Sequence, residues 1–263
     1  MNHYSNTLFN LEGQTALITG GSRGIGLQLA EALGSAGARL MLTARKEEEL
    51  NAAVEHLGSM GIKASWFAAD SSDPAEVQRV CTGTLGELGH IDILVNNAGT
   101  SWGSPAETHA LKAWDRVMNL NIRSLFLFSQ QIGAESMIPR KRGRIINVAS
   151  IAALGGNPSP MACVAYNTSK GAVLTFTRAL AAEWGVHGIT VNAISPGLFP
   201  SKMADGLIAE IGEERIISTT PLRRLGGPND LKGAALLLAS AAGQHMTGHA
   251  IVVDGGTSAV VGA

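Results

Sequence analysis

Tyr166 and Lys170 stand four residues apart in VAYNTSKGAVLTF (164–176), at the head of an apolar, Ala-rich run that reads as helix. Residues four apart on a helix share one face. A phenol and an ammonium held together can make a tyrosine acidic: moving its pKa from roughly 10 to about 7 needs on the order of 4 kcal/mol of preferential phenolate stabilisation. A neighbouring cation acts in that direction. The pair could then pass a proton to or from oxygen at neutral pH. Y-x-x-x-K also arises by chance as a surface tyrosine and a solvated lysine, so its meaning depends on the elements that position it.

Those elements alternate. Short β-branched runs at 15–19, 38–44, 63–70, 91–99, 143–150, 189–197 and 249–256 are separated by helical patterns at 24–36, 46–60, after Asp73-Pro74, at 111–136, from Tyr166 to about Trp184, and at 229–241. Strand–helix alternation predicts an α/β fold: a Rossmann-type doubly wound parallel sheet of about seven strands with helices on both faces. Several strands are almost wholly apolar, as in a sheet covered on both sides. With no linker, repeat or low-complexity segment, one domain over 1–263 is expected, with ligands at the carboxyl ends of the strands.

The first strand runs into Thr19-Gly20-Gly21-Ser22-Arg23-Gly24-Ile25-Gly26 and then a helix. Glycines at that junction allow a tight turn and close approach of backbone to a pyrophosphate. The second strand ends Leu42-Thr43-Ala44-Arg45-Lys46, without the acidic residue that binds a ribose 2′-hydroxyl in NAD sites. A guanidinium there suits a 2′-phosphate, which a carboxylate would repel. Arg45, with Arg23 as a second cation, predicts NADP(H).

The 263 residues, 45% hydrophobic and 16% charged with a formal net charge of −1, exclude a disordered chain and disfavour nucleic acid or an anionic membrane as partner. The basic run Arg140-Lys141-Arg142-Gly143-Arg144 reads as a solvated loop. Cys81 and Cys163 stand too far apart for a disulfide framework or metal cluster. No apolar run reaches membrane-span length and the first residues do not read as a signal peptide, so a cytoplasmic protein is expected.

The chain resembles a classical short-chain dehydrogenase/reductase. The resemblance runs from Leu11 to about Ser258 and rests on TGGSRGIG (19–26), Asp70, NNAG (96–99), Asn121 in NLNIRSLF, Ser150 closing RIINVAS, Y-x-x-x-K (166–170), PG (196–197) and TGHAIVVDGG (247–256). It implies that Ser150 hydrogen-bonds the substrate carbonyl, that Tyr166 moves the proton, and that Lys170 binds the nicotinamide ribose and lowers the Tyr166 pKa. Asn121 would hold a water of a proton relay. Gly20, Ser22, Arg23, Gly24, Ile25, Gly26, Arg45, Asp70, Ser71, Asn97, Ala98, Gly99, Pro196, Gly197 and Phe199 would line the cofactor, with Phe199 near the carboxamide. The loop from Ser150 to Tyr166 is longer than the family's usual one and carries Pro158 and Pro160. Ser159 is a rival for the serine role, but it lies in that loop and not at a strand end.

The resemblance also implies a substrate lid at about 198–221. Its Phe199, Met203, Leu207, Ile208 and Ile211 favour a hydrophobic ketone or acyl chain, although any helix needs an apolar face. NADPH-dependent 3-oxoacyl (β-ketoacyl) reductases are the nearest match by motif. An alcohol, polyol or sugar-acid dehydrogenase running toward oxidation is the alternative, and a non-catalytic dinucleotide sensor a third reading. Leu125, Phe126, Phe128, Leu174, Phe176 and Leu180 exceed what one face of two helices needs. By resemblance they imply a homotetramer. Trp102 is the tryptophan best placed to touch substrate, while Trp114 and Trp184 read as core or interface. His245 and His249 have the spacing of a metal pair, but Gly248 makes the segment a turn, so no metal is expected.

Overall fold

Seven strands hydrogen-bond side by side in the order β3-β2-β1-β4-β5-β6-β7, every pairing parallel. They are β1 Thr15–Thr19, β2 Arg39–Ala44, β3 Ala64–Ala68, β4 Ile93–Asn96, β5 Gly143–Val148, β6 Ile189–Pro196 and β7 Ala250–Val253. The computed structural model describes residues 7–157 and 161–260, so Pro158, Ser159 and Pro160 lie outside the described residues. The motif residues Asn97–Gly99 and Ser150 lie just past their strands, in the loops at the carboxyl edge.

The pleat explains why both faces are apolar. Ala16, Ile18, Leu40, Leu42, Ile93, Val95, Ile146 and Val148 point to one side, where they pack with α1 (Gly24–Ser35), α2 (Glu47–Ser59) and α9 (Lys232–Ala239). Leu17, Met41, Leu94 and Ile145, their neighbours in sequence, point to the other side, against α3 (Pro74–Leu88), α5 (Ser124–Ile132) and α6 (Val164–Trp184). Each fully buried Leu, Ile or Val stabilises by about 1.5–3 kcal/mol. A one-residue slip would exchange the two sets of side chains, so the register is strongly specified.

The helical pattern over 111–136 folds as α4 (Leu111–Met118), a π turn at Asn119–Arg123, α5 and a second π turn at Gly133–Met137. At the second π turn the Trp184 ring lies against Gly133, where an added Cβ would stand 2.1 Å from it. Trp184 is therefore a core residue. After β6 come two short helices, α7 (Asp205–Ile211) and α8 (Glu213–Thr219). No helix among the described residues is long and apolar enough to cross a membrane.

Two buried polar groups fasten the sheet. Asn96 and Asn147 are register partners; Asn96 Nδ2 donates to Asn147 Oδ1 at 2.9 Å and to Ser129 Oγ at 3.1 Å, and Asn147 Nδ2 donates to Thr177 Oγ1 at 3.0 Å. This ladder ties β4 and β5 to α5 and α6. At the opposite edge, buried Asp92 accepts from Thr15 N at 3.0 Å and Arg140 Nη2 at 2.6 Å, with His90 Nε2 at 3.1 Å and Arg142 Nε at 3.8 Å. The basic run is thus not simply a solvated loop, because two of its arginines converge on one buried carboxylate.

Candidate active site

The sheet order reverses direction between β1 and β4, which opens the crevice expected to take ligands. Thr19 closes β1 there; its Oγ1 accepts from the backbone N–H of Asn97 and of Ala98, each at 3.0 Å. Asn97 Nδ2 in turn donates to Thr19 O at 2.9 Å and Gly20 O at 3.0 Å. The Asn97 side chain therefore braces the glycine turn. Gly20 has φ +64°, and a Cβ on Gly26 would stand 2.2 Å from Gly20 O and 2.5 Å from Asn97 Nδ2. The turn can be this tight only with glycine at both places. Helix α1 starts behind it with no side-chain cap and no acid in its first turn, which leaves backbone N–H groups for an anion.

A cleft of about 970 Å³ opens beyond the turn, lined by Arg23, Arg45, Lys112, Arg116 and Lys202 against Asp70 and Asp115. Asp70 Oδ1 accepts from Ser72 N at 2.9 Å and Ser72 Oγ at 2.7 Å. Burial pushes the Asp70 carboxyl up, but Ser72, Arg45 and Arg116 hold it below its usual range. Ser71 is buried, so Ser72 is the serine that faces this cleft. Arg116, Ser72 and Lys202 escaped the sequence reading because none belongs to a recurring motif.

At the other end of the crevice, α6 carries Tyr166 and Lys170 under the end of β5. Lys170 is 5% exposed, and its Nζ donates to Val148 O at 2.7 Å and lies 5.7 Å from the centre of the Tyr166 ring. Burial lowers the ammonium from its ordinary 10.5 to about 8. Burial also pushes the Tyr166 phenol up, a hydrogen bond with Ser150 draws it back, and nearby Cys163 pushes it up again. One of the three ammonium donors of Lys170 goes to a backbone carbonyl, which leaves two for a ligand, and desolvation of the phenolate is the largest effect on the phenol.

Ser150 follows β5 and caps a short 3-10 turn, its Oγ accepting from Ala152 N at 3.1 Å. The structure thus brings Ser150, Tyr166 and Lys170 together. Asn121 sits in the first π turn, 2% exposed; its Oδ1 accepts from Thr100 N at 2.8 Å, and its Nδ2 donates to Thr100 O and Ser169 Oγ, both at 2.9 Å. The side chain pins the loop after β4 to α6. π turns of this kind recur at functional sites. Pro196 ends β6, and Gly197 N donates to Val253 O at 2.9 Å. Phe199 is 5% exposed and packs in the core under α9, and it also lines a smaller pocket with Ile151 and Leu198.

Residues 14–211 match the family model described as short chain dehydrogenase. The chain belongs to the short-chain dehydrogenase/reductase family. Like other members it is an oxidoreductase acting on CH–OH and C=O groups. It is 38% identical over 250 residues to a gluconate 5-dehydrogenase of Gluconobacter oxydans, covering 95% of this chain and 96% of that one. It is also 38% identical over 253 residues to a rhamnolipids biosynthesis 3-oxoacyl-[acyl-carrier-protein] reductase of Pseudomonas aeruginosa, covering 94% and 97%. The crystal structure of a gluconate 5-dehydrogenase from Burkholderia cenocepacia in complex with NADP and tartrate superposes with a TM-score of 0.91 at 33% identity, covering 98% of this chain and 100% of that one.

Proposed function

We propose that this dehydrogenase interconverts a ketone and a secondary alcohol on a sugar acid or related polyhydroxylated acid, using NADP(H). Its likeness to gluconate 5-dehydrogenases over almost the whole chain favours this over the 3-oxoacyl thioester reading that the motifs first favoured. The observation that carries the reading is the cleft itself. Five cations face two carboxylates there, an environment suited to an anionic cofactor and an anionic substrate. The apolar residues of 198–221 are what short helices need in order to dock.

The residues present fit NADP(H). The uncapped start of α1 and the glycine turn would take the pyrophosphate, Arg45 with Arg23 the 2′-phosphate, the Asp70–Ser72 corner the adenosine, and Lys170 the nicotinamide ribose. When bound, the cofactor supplies or accepts the hydride. Tyr166, kept protonated by burial, donates its proton to the oxygen on which negative charge grows during reduction, and its phenolate takes that proton back during oxidation. Ser150 Oγ already accepts from Ala152 N, which leaves its O–H to donate to the same oxygen. Lys170, still largely protonated at pH 7, stabilises the phenolate left on Tyr166. The Asn121 amide hydrogens are both engaged, so its side chain holds the site in shape.

Segment 198–221 would close over the substrate as a lid. Phe126, 44% exposed and edge-on to Phe176 at 6.4 Å, would seat a second copy in a homotetramer, whereas Leu125, Phe128, Leu174 and Leu180 are buried within the subunit and take no part. The test is turnover of keto-aldonates and of 3-oxoacyl thioesters with NADPH, followed at the nicotinamide absorbance. Turnover of the thioesters and of no sugar acid would overturn the reading.

A further inference from the structure

Glu49, in the first turn of α2, gathers cations from three separate parts of the chain. Both its carboxylate oxygens lie 2.5 Å from Arg23 Nη1, in the glycine turn. Oε1 lies 3.4 Å from Lys46 Nζ, in the connection after β2, and 3.6 Å from Lys202 Nζ, in the segment after β6. Arg23 and Lys202 line the large cleft together with Arg45. The partly buried carboxylate is pushed up by desolvation, yet Arg23, Lys46 and Lys202 hold it below its usual range. Such largely exposed pairs contribute little to stability, so stability does not account for one carboxylate serving three cations at this place.

The place is where a 2′-phosphate would arrive. A phosphate beside Arg45 would find its two further cations already neutralised, and a fixed negative charge among them. Glu49 engages only Nη1 of Arg23, so a phosphate gripped by the remaining donors of the guanidinium would share it with a fixed negative charge. We propose that Glu49 is a resident counter-ion of the 2′-phosphate site, competing with the phosphate for Arg23 and Lys202 and thereby setting how strongly the enzyme prefers NADP(H) to NAD(H). The same carboxylate joins the root of the proposed lid, through Lys202, to the glycine turn. A phosphate that displaced Glu49 would be felt at both.

The inference rests on the NADP(H) reading, and two non-reacting probes separate the two. Calorimetric titration with 2′,5′-ADP and with 5′-AMP needs no turnover. Wild type should bind 2′,5′-ADP more tightly than 5′-AMP; equal affinities would overturn the cofactor reading itself. In Glu49→Gln, 2′,5′-ADP should bind roughly two- to fivefold more tightly, the scale of losing one exposed competing ion pair, while 5′-AMP changes by less than about 1.5-fold. Arg23→Met should remove most of that gain when combined with Glu49→Gln. Unchanged or weaker 2′,5′-ADP binding in Glu49→Gln would overturn the proposal, as would a gain that persists undiminished without Arg23.

Discussion

Replacing Lys170 by Met should make the protein more stable while destroying its activity. The ammonium is buried, and the gap between 10.5 and about 8 is the cost of holding its charge there. At 1.36 kcal/mol per pH unit that cost is on the order of 3 kcal/mol at pH 7. The substitution removes it but leaves Val148 O without the donor it has at 2.7 Å, a loss of about 1–2 kcal/mol. The net gain is about 2 kcal/mol, or roughly 4–8 °C in Tm for a chain of this size. The sign with pH follows from the lowered folded-state value. Between pH 8 and 10.5 the unfolded chain binds the proton and the folded one does not, so wild-type stability rises relative to the variant across that window. Urea melts of both proteins without nucleotide, at one protein concentration and at pH 7, 8, 9 and 10, would measure this. A variant less stable than wild type at pH 7, or a difference that stays constant to pH 10, would refute the desolvation account of Lys170.

Three further outcomes test other parts of the molecule. Tyr166→Phe should lower carbonyl reduction by about 10²–10⁴-fold with 2′,5′-ADP affinity preserved; retained turnover would remove Tyr166 from proton transfer. Gly26→Ala should cost about 1–3 kcal/mol through overpacking and weaken 2′,5′-ADP binding, and a variant as stable and as tight as wild type would show that the turn is not close-packed. Asp92→Asn should cost about 1–3 kcal/mol at pH 7. Burial raises the Asp92 carboxyl, but Arg140, Thr15 N and His90 hold it low overall, so its stabilisation is present above about pH 4 and fades as pH falls through the folded-state value. Equal acid sensitivity in variant and wild type would count against it.

Local patterns made the sheet readable. Apolar runs of strand length bounded by glycine and proline place all seven strands, with overlong ends where loop residues such as Asn97–Gly99 continue the apolar run. The cluster of Ser150, Tyr166 and Lys170 was legible because the motif residues sit at strand ends, where parallel topology collects them. What was not legible depends on contacts distant in sequence. The direction of the Asn97 side chain is set by Thr19 and Gly20, burial of Phe199 by the core under α9, and the upward push on the Tyr166 phenol by desolvation. The π turns leave no periodic signature, since an extra residue in one turn merely rotates the apolar stripe. No sequence motif marks Glu49, and only the fold brings Lys202 to it.

The buried amide ladder of Asn96 and Asn147 divides the molecule into parts that can change independently. It locks α6, and with it Tyr166 and Lys170, to the middle of the sheet through buried side chains. Ile151, after Ser150, and Leu198, Ile216 and Leu222, after β6, are not part of that ladder and line a smaller pocket together. Sequence change in those two segments can therefore reshape what enters without moving the acid that acts on it, so exchanging them between relatives is a route to new substrates on an unaltered proton-transfer apparatus.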